Sequence, residues 1–460
     1  MRSTAASSRP VPIADHGAYW TDGMAPLPVT HTDIVSEADV VIIGSGYTGM
    51  HAAIVTAREG KSTQVLEAQT PGWGCSTRNG GQISGSLKPS LKQLTRRFGA
   101  ERAHAIRGEG NTSLEWIETF IKANKIDCDF KRNGRFHAAH TPQHFEKMVA
   151  EARLLGDEEN VPTIIVPRQD QHQELGTDAY FGGVVFTRHA SVHPAKYYAG
   201  ILQTALNAGA RVTGHCPAMD ITRSGGGFIV TTPKGNIRAG KVVVATNGYS
   251  GPLAPWMQRR VIPIGSYIIA TEPLPKSLMD RLFPKDRIVG DSCKVIYYYR
   301  PSPDRSRILF GGRVSANETN PDISGPKLHH DLCRIFPELQ DYGLSHSWNG
   351  TVAYTFDELM HIGQHEGVHY AMGYCGSGVG MASYLGMRLG QQVAGLAEGK
   401  TAFDDIAFPT RPFYRGNPWF LPAMVSWYRW RDKWQYRRAL NTQGNGTTGG
   451  FAGHVSKNAG

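Results

Sequence analysis

Nowhere does the sequence contain a run of about 18 or more uncharged apolar residues, so no membrane-spanning helix is expected. Residues 1–36 are polar and proline-bearing, without a basic stretch followed by an apolar core, and read as a partly ordered arm, not a signal peptide. Cysteine is scarce. The six residues (75, 128, 216, 293, 333 and 375) are dispersed, with no CxxC and no His/Cys cluster. That argues against a metal site and a disulfide framework, and fits reduced thiols in a cytoplasmic protein. No paired-carboxylate or Ser/His/Asp signature stands out. Helix-turn-helix, RNP-like and zinc-finger patterns are also missing, so the net charge of +10 is not read as nucleic-acid binding. It is either ordinary surface charge or a field drawing an acidic cofactor and an anionic substrate into one cleft.

What is present begins with Asp39-Val40-Val41-Ile42-Ile43-Gly44-Ser45-Gly46-Tyr47-Thr48-Gly49. An apolar strand ends in a GxGxxG turn, a helical stretch follows to Arg58, and a second strand, Thr63–Leu66, ends on Glu67. This is the setting a dinucleotide fingerprint requires. Gly44 permits the tight turn, Gly46 admits a pyrophosphate, and Gly49 lets helix and strand pack closely. Ser45, Tyr47 and Thr48 border the phosphate on the helix N-terminus, where the dipole favours negative charge. Glu67 is placed to bind the ribose hydroxyls, with Ala68 beside it.

At 460 residues the chain suggests two packed domains, and a mean hydropathy of −0.33 is that of a globular protein. Residues 72–82, dense in Gly, Ser, Thr and Asn, read as a loop that wraps the cofactor. Helices are expected over 88–124, 141–155 and 194–207, and strands over 130–138, 184–186, 209–212, 228–232 and 238–246. The 238–246 strand looks like a central parallel one that enters Asn247-Gly248. Strands at 261–271, 294–300 and 307–313, extended by 348–355 and 368–372, suggest an antiparallel sheet inserted between the halves of the nucleotide domain to receive substrate. Gly373–Met381 repeats the opening logic, a glycine loop before a helix of small residues over 382–396. Arg411–Leu440 is aromatic and basic, with seven Arg/Lys and one Asp. It is read as packed over the substrate domain, ahead of a dimer contact or an interfacial membrane helix. Residues 441–460 read as a disordered tail.

The fingerprint, Glu67, Gly74-x-x-x-Arg78-Asn79-Gly80-Gly81-Gln82, Gly265–Leu274, Gly376–Gly380 and the Arg411–Asp432 tail resemble one family. They resemble the FAD-dependent D-amino-acid oxidase and glycine/sarcosine oxidase superfamily, in particular its bacterial γ-glutamylputrescine oxidase branch. The resemblance implies an α/β fold, a Rossmann-like FAD-binding domain (37–95, 180–255, 345–405) with an inserted, mainly antiparallel-sheet substrate domain (96–179, 256–344). The aromatic segment 406–440 would follow. It implies FAD in extended form, with adenine and ribose by Glu67 and a Cys216-Pro217-Ala218 strand. Gly74, Cys75, Ser76, Arg78, Asn79, Gly80, Gly81 and Gln82 would run beside the pyrophosphate and flavin ring. Thr246, Asn247 and Gly248 would sit at the sheet edge, and Gly376, Ser377, Gly378, Val379, Gly380 and Met381 over the pyrimidine end.

The implied chemistry is oxidation of an amine C–N bond to an imine by hydride transfer to flavin, in a pocket dry enough to hold the amine neutral. The substrate would be an amine or amino acid such as a γ-glutamyl-polyamine, met by Tyr267, Tyr298, Arg300 and Trp348 of the inserted sheet, with an Arg clamping a carboxylate. Where sarcosine-type relatives carry a flavin-linking Cys, Val352 stands, so the FAD is expected to be non-covalent. Ile308–Gly312 lacks the oxygen-activating Lys of those relatives, which leaves oxygen and an electron carrier both open as acceptor. Val379 replaces a frequent His. A nicotinamide dehydrogenase and a non-catalytic flavin protein are the other readings, and the 72–82 loop argues against the first. The protein is expected to be a monomer or homodimer.

Overall fold

A computed structural model describes residues 11–313 and 319–444, in two sheets between which the chain passes repeatedly. The eight-stranded sheet is built around Glu37–Ile43, which pairs in parallel with Thr63–Leu66 on one side and Gly235–Val244 on the other. Arg211–Thr213 and Val368–Met372 extend the parallel part. Its strands are nearly continuous aliphatic runs because helices cover them. Tyr47–Arg58, Ala100–Ala123, Pro194–Asn207 and Gly378–Ala394 share one core through Met50, Ile106, Ile117, Leu202 and Leu385. The helices Tyr47–Arg58 and Gly378–Ala394 approach very closely. A Cβ on Gly386 would stand 2.6 Å from the Thr48 carbonyl oxygen.

The second sheet has nine strands, in the order 13–15, 344–355, 261–271, 308–312, 297–301, 288–291, 135–138, 183–186, 163–166. Neighbours are antiparallel except at 13–15/344–355 and 288–291/135–138. The helix Pro321–Ile335 covers it, through Leu328 and Leu332 against Phe310, Tyr299 and Phe336. Leu421–Gly444 packs against the connection between its inner strands 288–291 and 297–301, where Leu421 and Val425 bury Val295 and Asp432 accepts the Val295 N–H.

The strands expected over 261–271 and 368–372 and the helix over 194–207 form at those bounds. Several expectations are corrected. The helix over 88–124 is two, Leu91–Phe98 and Ala100–Ala123, broken at Gly99, whose φ of +81° no helix accommodates. A short helix, Cys75–Arg78, lies inside the glycine loop. Cys216–Ala218 is irregular, not a strand. Val368–Met372 joins the parallel sheet through Val242–Val244, whereas Leu344–Thr355 does complete the antiparallel one. Ala100–Ala123 packs on the nucleotide side, and Gly183–Phe186 belongs to the nine-stranded sheet. Of the expected tail, 441–444 continue the last helix, and the rest lies outside the described residues.

Gly386→Val is expected to destabilise the protein by about 1–3 kcal/mol, because the helices must part to admit the side chain. Gly156→Ala, with nothing within 4 Å of its Cβ position, is the control. It should leave the melting temperature unchanged or raise it, by about 1 kcal/mol of helix propensity. Thermal melting of the two variants beside the parent protein checks both.

Candidate functional site

The fingerprint does in three dimensions what its glycines suggest. Gly44 has φ +101°, and a Cβ on Gly49 would lie 2.0 Å from the Gly44 carbonyl oxygen. The helix beginning at Tyr47 has no side-chain cap at Gly46, although Ser76 Oγ accepts the Tyr47 N–H at 3.0 Å. Its positive end therefore faces the cleft, as a phosphate requires. Glu67 accepts from Ser45 N at 3.0 Å and Ser45 Oγ at 2.7 Å, which fixes the carboxylate at the end of its strand. Thr48 Oγ1 meets the Tyr374 hydroxyl at 2.6 Å, tying the fingerprint helix to the second glycine loop. The chain therefore offers what a dinucleotide needs: a tight glycine turn, an uncapped helix start and an acid at ribose distance along the sheet.

A single cavity of about 1570 Å³ runs from this cleft to the nine-stranded sheet. Sites for one small ligand span about 300–1,000 Å³. The cavity therefore has room for a cofactor and a substrate together. Gly44–Thr48, Glu67, Ala68, Gly74–Ser76, Arg78–Gly80, Gln82, Ala218, Thr246, Asn247 and Gly376–Val379 all line it. Five expected cofactor residues do not: Gly49, Gly81, Gly248, Gly380 and Met381 stand behind the wall. Cys75 lines the cavity, but its thiol donates to the Thr351 carbonyl and burial pushes it up to about 11, so it stays protonated. Val352 lines the wall too.

Of the four residues expected to meet substrate, only Tyr298 reaches the cavity. Its ring lies in a slot between Gly80 and Gly311, where a Cβ would stand 2.9 Å and 2.3 Å from it, and its hydroxyl meets Ser266 Oγ at 2.8 Å. Burial raises its pKa, so the phenol is neutral. Tyr267 is fully buried on the opposite face of its strand, where its hydroxyl accepts the Thr319 N–H. Trp348 donates its indole N–H to the Arg78 carbonyl at 2.8 Å. Arg300 is no carboxylate clamp. Its guanidinium donates to the carbonyls of Gly81, Val192 and Pro301. Trp20, from the N-terminal arm, donates to the Asn79 carbonyl at 2.7 Å. Three buried side chains thus hold the backbone of the flavin loop.

No local pattern in the sequence marks the cations of the chamber. Lys88 and Arg135 line the cavity beside Tyr354, with Lys88 Nζ 6.0 Å from that ring. Lys88 is exposed to the open cavity and Arg135 half-buried, and the protein packed around them desolvates both enough to lower their pKa, that of Arg135 to about 10. Neither forms an ion pair among the described residues, and Arg135 Nε is buried without a hydrogen-bond partner. Glu358 acts on Lys88 and Asp291 on Arg135 only electrostatically. Asp291 is turned to the N–H groups of Cys293 and Tyr297, and burial pushes its carboxyl up to about 7. His137 and His189, held down at about 3 by burial and by Arg135, add no charge. Ile262, Ile264, Val352, Leu421, Met424, Val425 and Tyr428 complete a largely apolar wall.

Arg300→Met is expected to lower the flavin-to-protein ratio of purified protein and weaken flavin binding at least about tenfold, since the Gly81 carbonyl of the loop and the Val192 carbonyl behind it lose a charged donor. A substrate clamp would behave otherwise, with KM rising while flavin content stays whole. Flavin absorbance and fluorescence titration distinguish the two.

A family model described as FAD dependent oxidoreductase (DAO) matches residues 39–392. A probable oxidoreductase OrdL of Rhizobium meliloti is 31% identical over 86% of this chain and 92% of its own length. The gamma-glutamylputrescine oxidoreductase of Escherichia coli K12 is 29% identical over 86% of this chain and 93% of its own. Among solved structures, a glycine oxidase from Geobacillus kaustophilus superposes with a TM-score of 0.68 at 19% identity, over 82% of this chain and 99% of that one. An L-proline dehydrogenase from P. horikoshii gives 0.66 at 17%, over 85% and 99%. A glycine turn, a fixed Glu67 and a family match across both sheets agree: the chain belongs to the DAO family of FAD-dependent oxidoreductases, and its cofactor is FAD.

Proposed function

We propose that this enzyme oxidises the C–N bond of an amine that carries a remote carboxylate, a γ-glutamylputrescine-like compound, to the imine, with molecular oxygen as acceptor. The observation that carries the reading is the pair Lys88 and Arg135, two cations that line the wall of an open, largely apolar chamber continuous with the dinucleotide cleft, neither in an ion pair among the described residues. A ligand closing over them takes both charges out of water, and a substrate carboxylate supplies the counter-charge that offsets this. The gamma-glutamylputrescine oxidoreductase relative supports the same class.

The residues then divide the work. Gly44–Thr48 and Glu67 would hold the pyrophosphate and ribose, and the 74–82 and 376–379 loops the ring, without a covalent link, since Val352 offers no thiol and Cys75 is spent on Thr351. Bound FAD supplies the two-electron oxidation. Lys88 and Arg135 orient the substrate by its acid end. Tyr298 and Tyr354, neutral phenols, border the space for the amine, and the apolar wall excludes water. An amine in such surroundings sheds its proton more readily, so the wall itself prepares the nitrogen for oxidation. No lysine stands in Ile308–Gly312, and a dehydrogenase that passes electrons to a quinone or carrier is the second reading.

Anaerobic titration of the holoenzyme with γ-glutamylputrescine is expected to bleach the flavin, and readmitted air to restore it with release of hydrogen peroxide. Bleaching that persists in air but reverses with a quinone selects the dehydrogenase. Lys88→Met and Arg135→Met should each raise KM for carboxylate-bearing amines by about tenfold to a hundredfold, the worth of one charged hydrogen bond. KM for an uncharged analogue lacking the carboxylate should hardly change. Equal effects on both substrates would refute the role of the pair.

A further inference from the structure

The helix Leu421–Gly444 has two faces of different chemistry. Inward, Leu421, Met424, Val425 and Tyr428 wall the cavity. Outward, Trp427, Trp430 and Trp434 are 57%, 55% and 48% exposed. They stack in a row, with ring centroids 5.0 Å and 6.5 Å apart and planes within 26° and 14° of parallel. Their spacing, three and then four residues, sets them on one side of the helix. Lys433, Arg437 and Arg438 stand exposed next to them. The segment's single acid, Asp432, points the other way and accepts the Val295 N–H. Among the described residues neither Lys433 nor Arg437 forms an ion pair.

An indole has an apolar body and one N–H, and its favoured place is the boundary between water and lipid. Lysine and arginine beside it add attraction to anionic headgroups. A second copy of the chain is a poorer occupant, because a two-fold contact would set this basic face against itself. No described helix is long and apolar enough to cross a membrane, so the contact would lie in the interface plane. We propose that the Trp427–Trp430–Trp434 face, with Lys433, Arg437 and Arg438, docks the protein onto an anionic lipid surface. The proposal is independent of the substrate and of the acceptor.

The test is flotation of the FAD-loaded protein with vesicles of phosphatidylcholine alone and of phosphatidylcholine with phosphatidylglycerol. At low salt, recovery with the anionic vesicles should exceed that with neutral ones at least about fivefold, fall in high salt, and bring a blue shift of tryptophan emission. Trp427→Ser/Trp430→Ser/Trp434→Ser and Lys433→Glu/Arg437→Glu/Arg438→Glu should each reduce recovery to the neutral level while keeping the parent's flavin content and melting temperature. If the triple tryptophan variant does not fold, Trp430→Ser alone gives the reading. The proposal is overturned if the parent protein stays unbound at low salt, or if both variants float as it does. It is also overturned if light scattering finds a dimer that the tryptophan variant splits while no vesicle binds; the face would then be a self-association surface.

Discussion

Three carbonyls of one short stretch, those of Arg78, Asn79 and Gly81, are held by donors from elsewhere in the chain: the Trp348 and Trp20 indoles and the Arg300 guanidinium. Thr77, Arg78 and Asn79 bond some of the loop's own peptide groups, but its glycines bring no side chains, and the remaining peptide groups must be satisfied once buried. Here the inserted sheet and the N-terminal arm satisfy them. Hydrogen bonds to a charged donor contribute about 1.5–3 kcal/mol each, more than a neutral pair. The cofactor loop thus has its shape only when the nine-stranded sheet is seated against it. The two sheets share one site through these bonds, and not simply by lying on either side of a cleft.

The nucleotide half was legible because its signals are local. Gly44, Gly46, Gly49 and Glu67 act within thirty residues of one another, and their tasks are backbone tasks. The second half was legible in type but not in direction. Tyr267 lies one residue from Ser266 and Ile268, which line the cavity, and that single step turns it to the other face. Arg300 shares the face of Tyr298, yet two residues along the strand it meets Gly81 instead of open space. Lys88 and Arg135 could not be paired from sequence, since they sit on separate segments and are joined only by the fold. Gly99 is the stop inside the expected 88–124 helix, and composition hides it because the flanking residues are helix-forming on both sides.

Charge is distributed in keeping with this division. Many described arginines and lysines have a carboxylate at hand, as Arg287 and Lys285 have Glu174. The chamber cations lack one, and the histidines around them are kept neutral by burial. A positive net charge on the whole molecule thus says little, whereas two uncompensated charges in a small apolar volume define what can enter it. Tyr298 and Tyr354 add polar groups that stay neutral, so they shape the space without competing for the anion.

The strand Ile13–Asp15 pairs with Leu344 and His346, and Trp20, a few residues on, reaches Asn79. During synthesis the strand that pairs with Ile13–Asp15 is made more than 300 residues after it. Contacts so distant along the chain close late, after their loop-closure entropy has been met by other pairings. Residues 13–20 therefore take their places late, and until they do, the flavin loop lacks one of its three anchors. Cofactor retention in this fold is accordingly tied to synthesis past Leu344 and His346, with Trp20 as the late clasp.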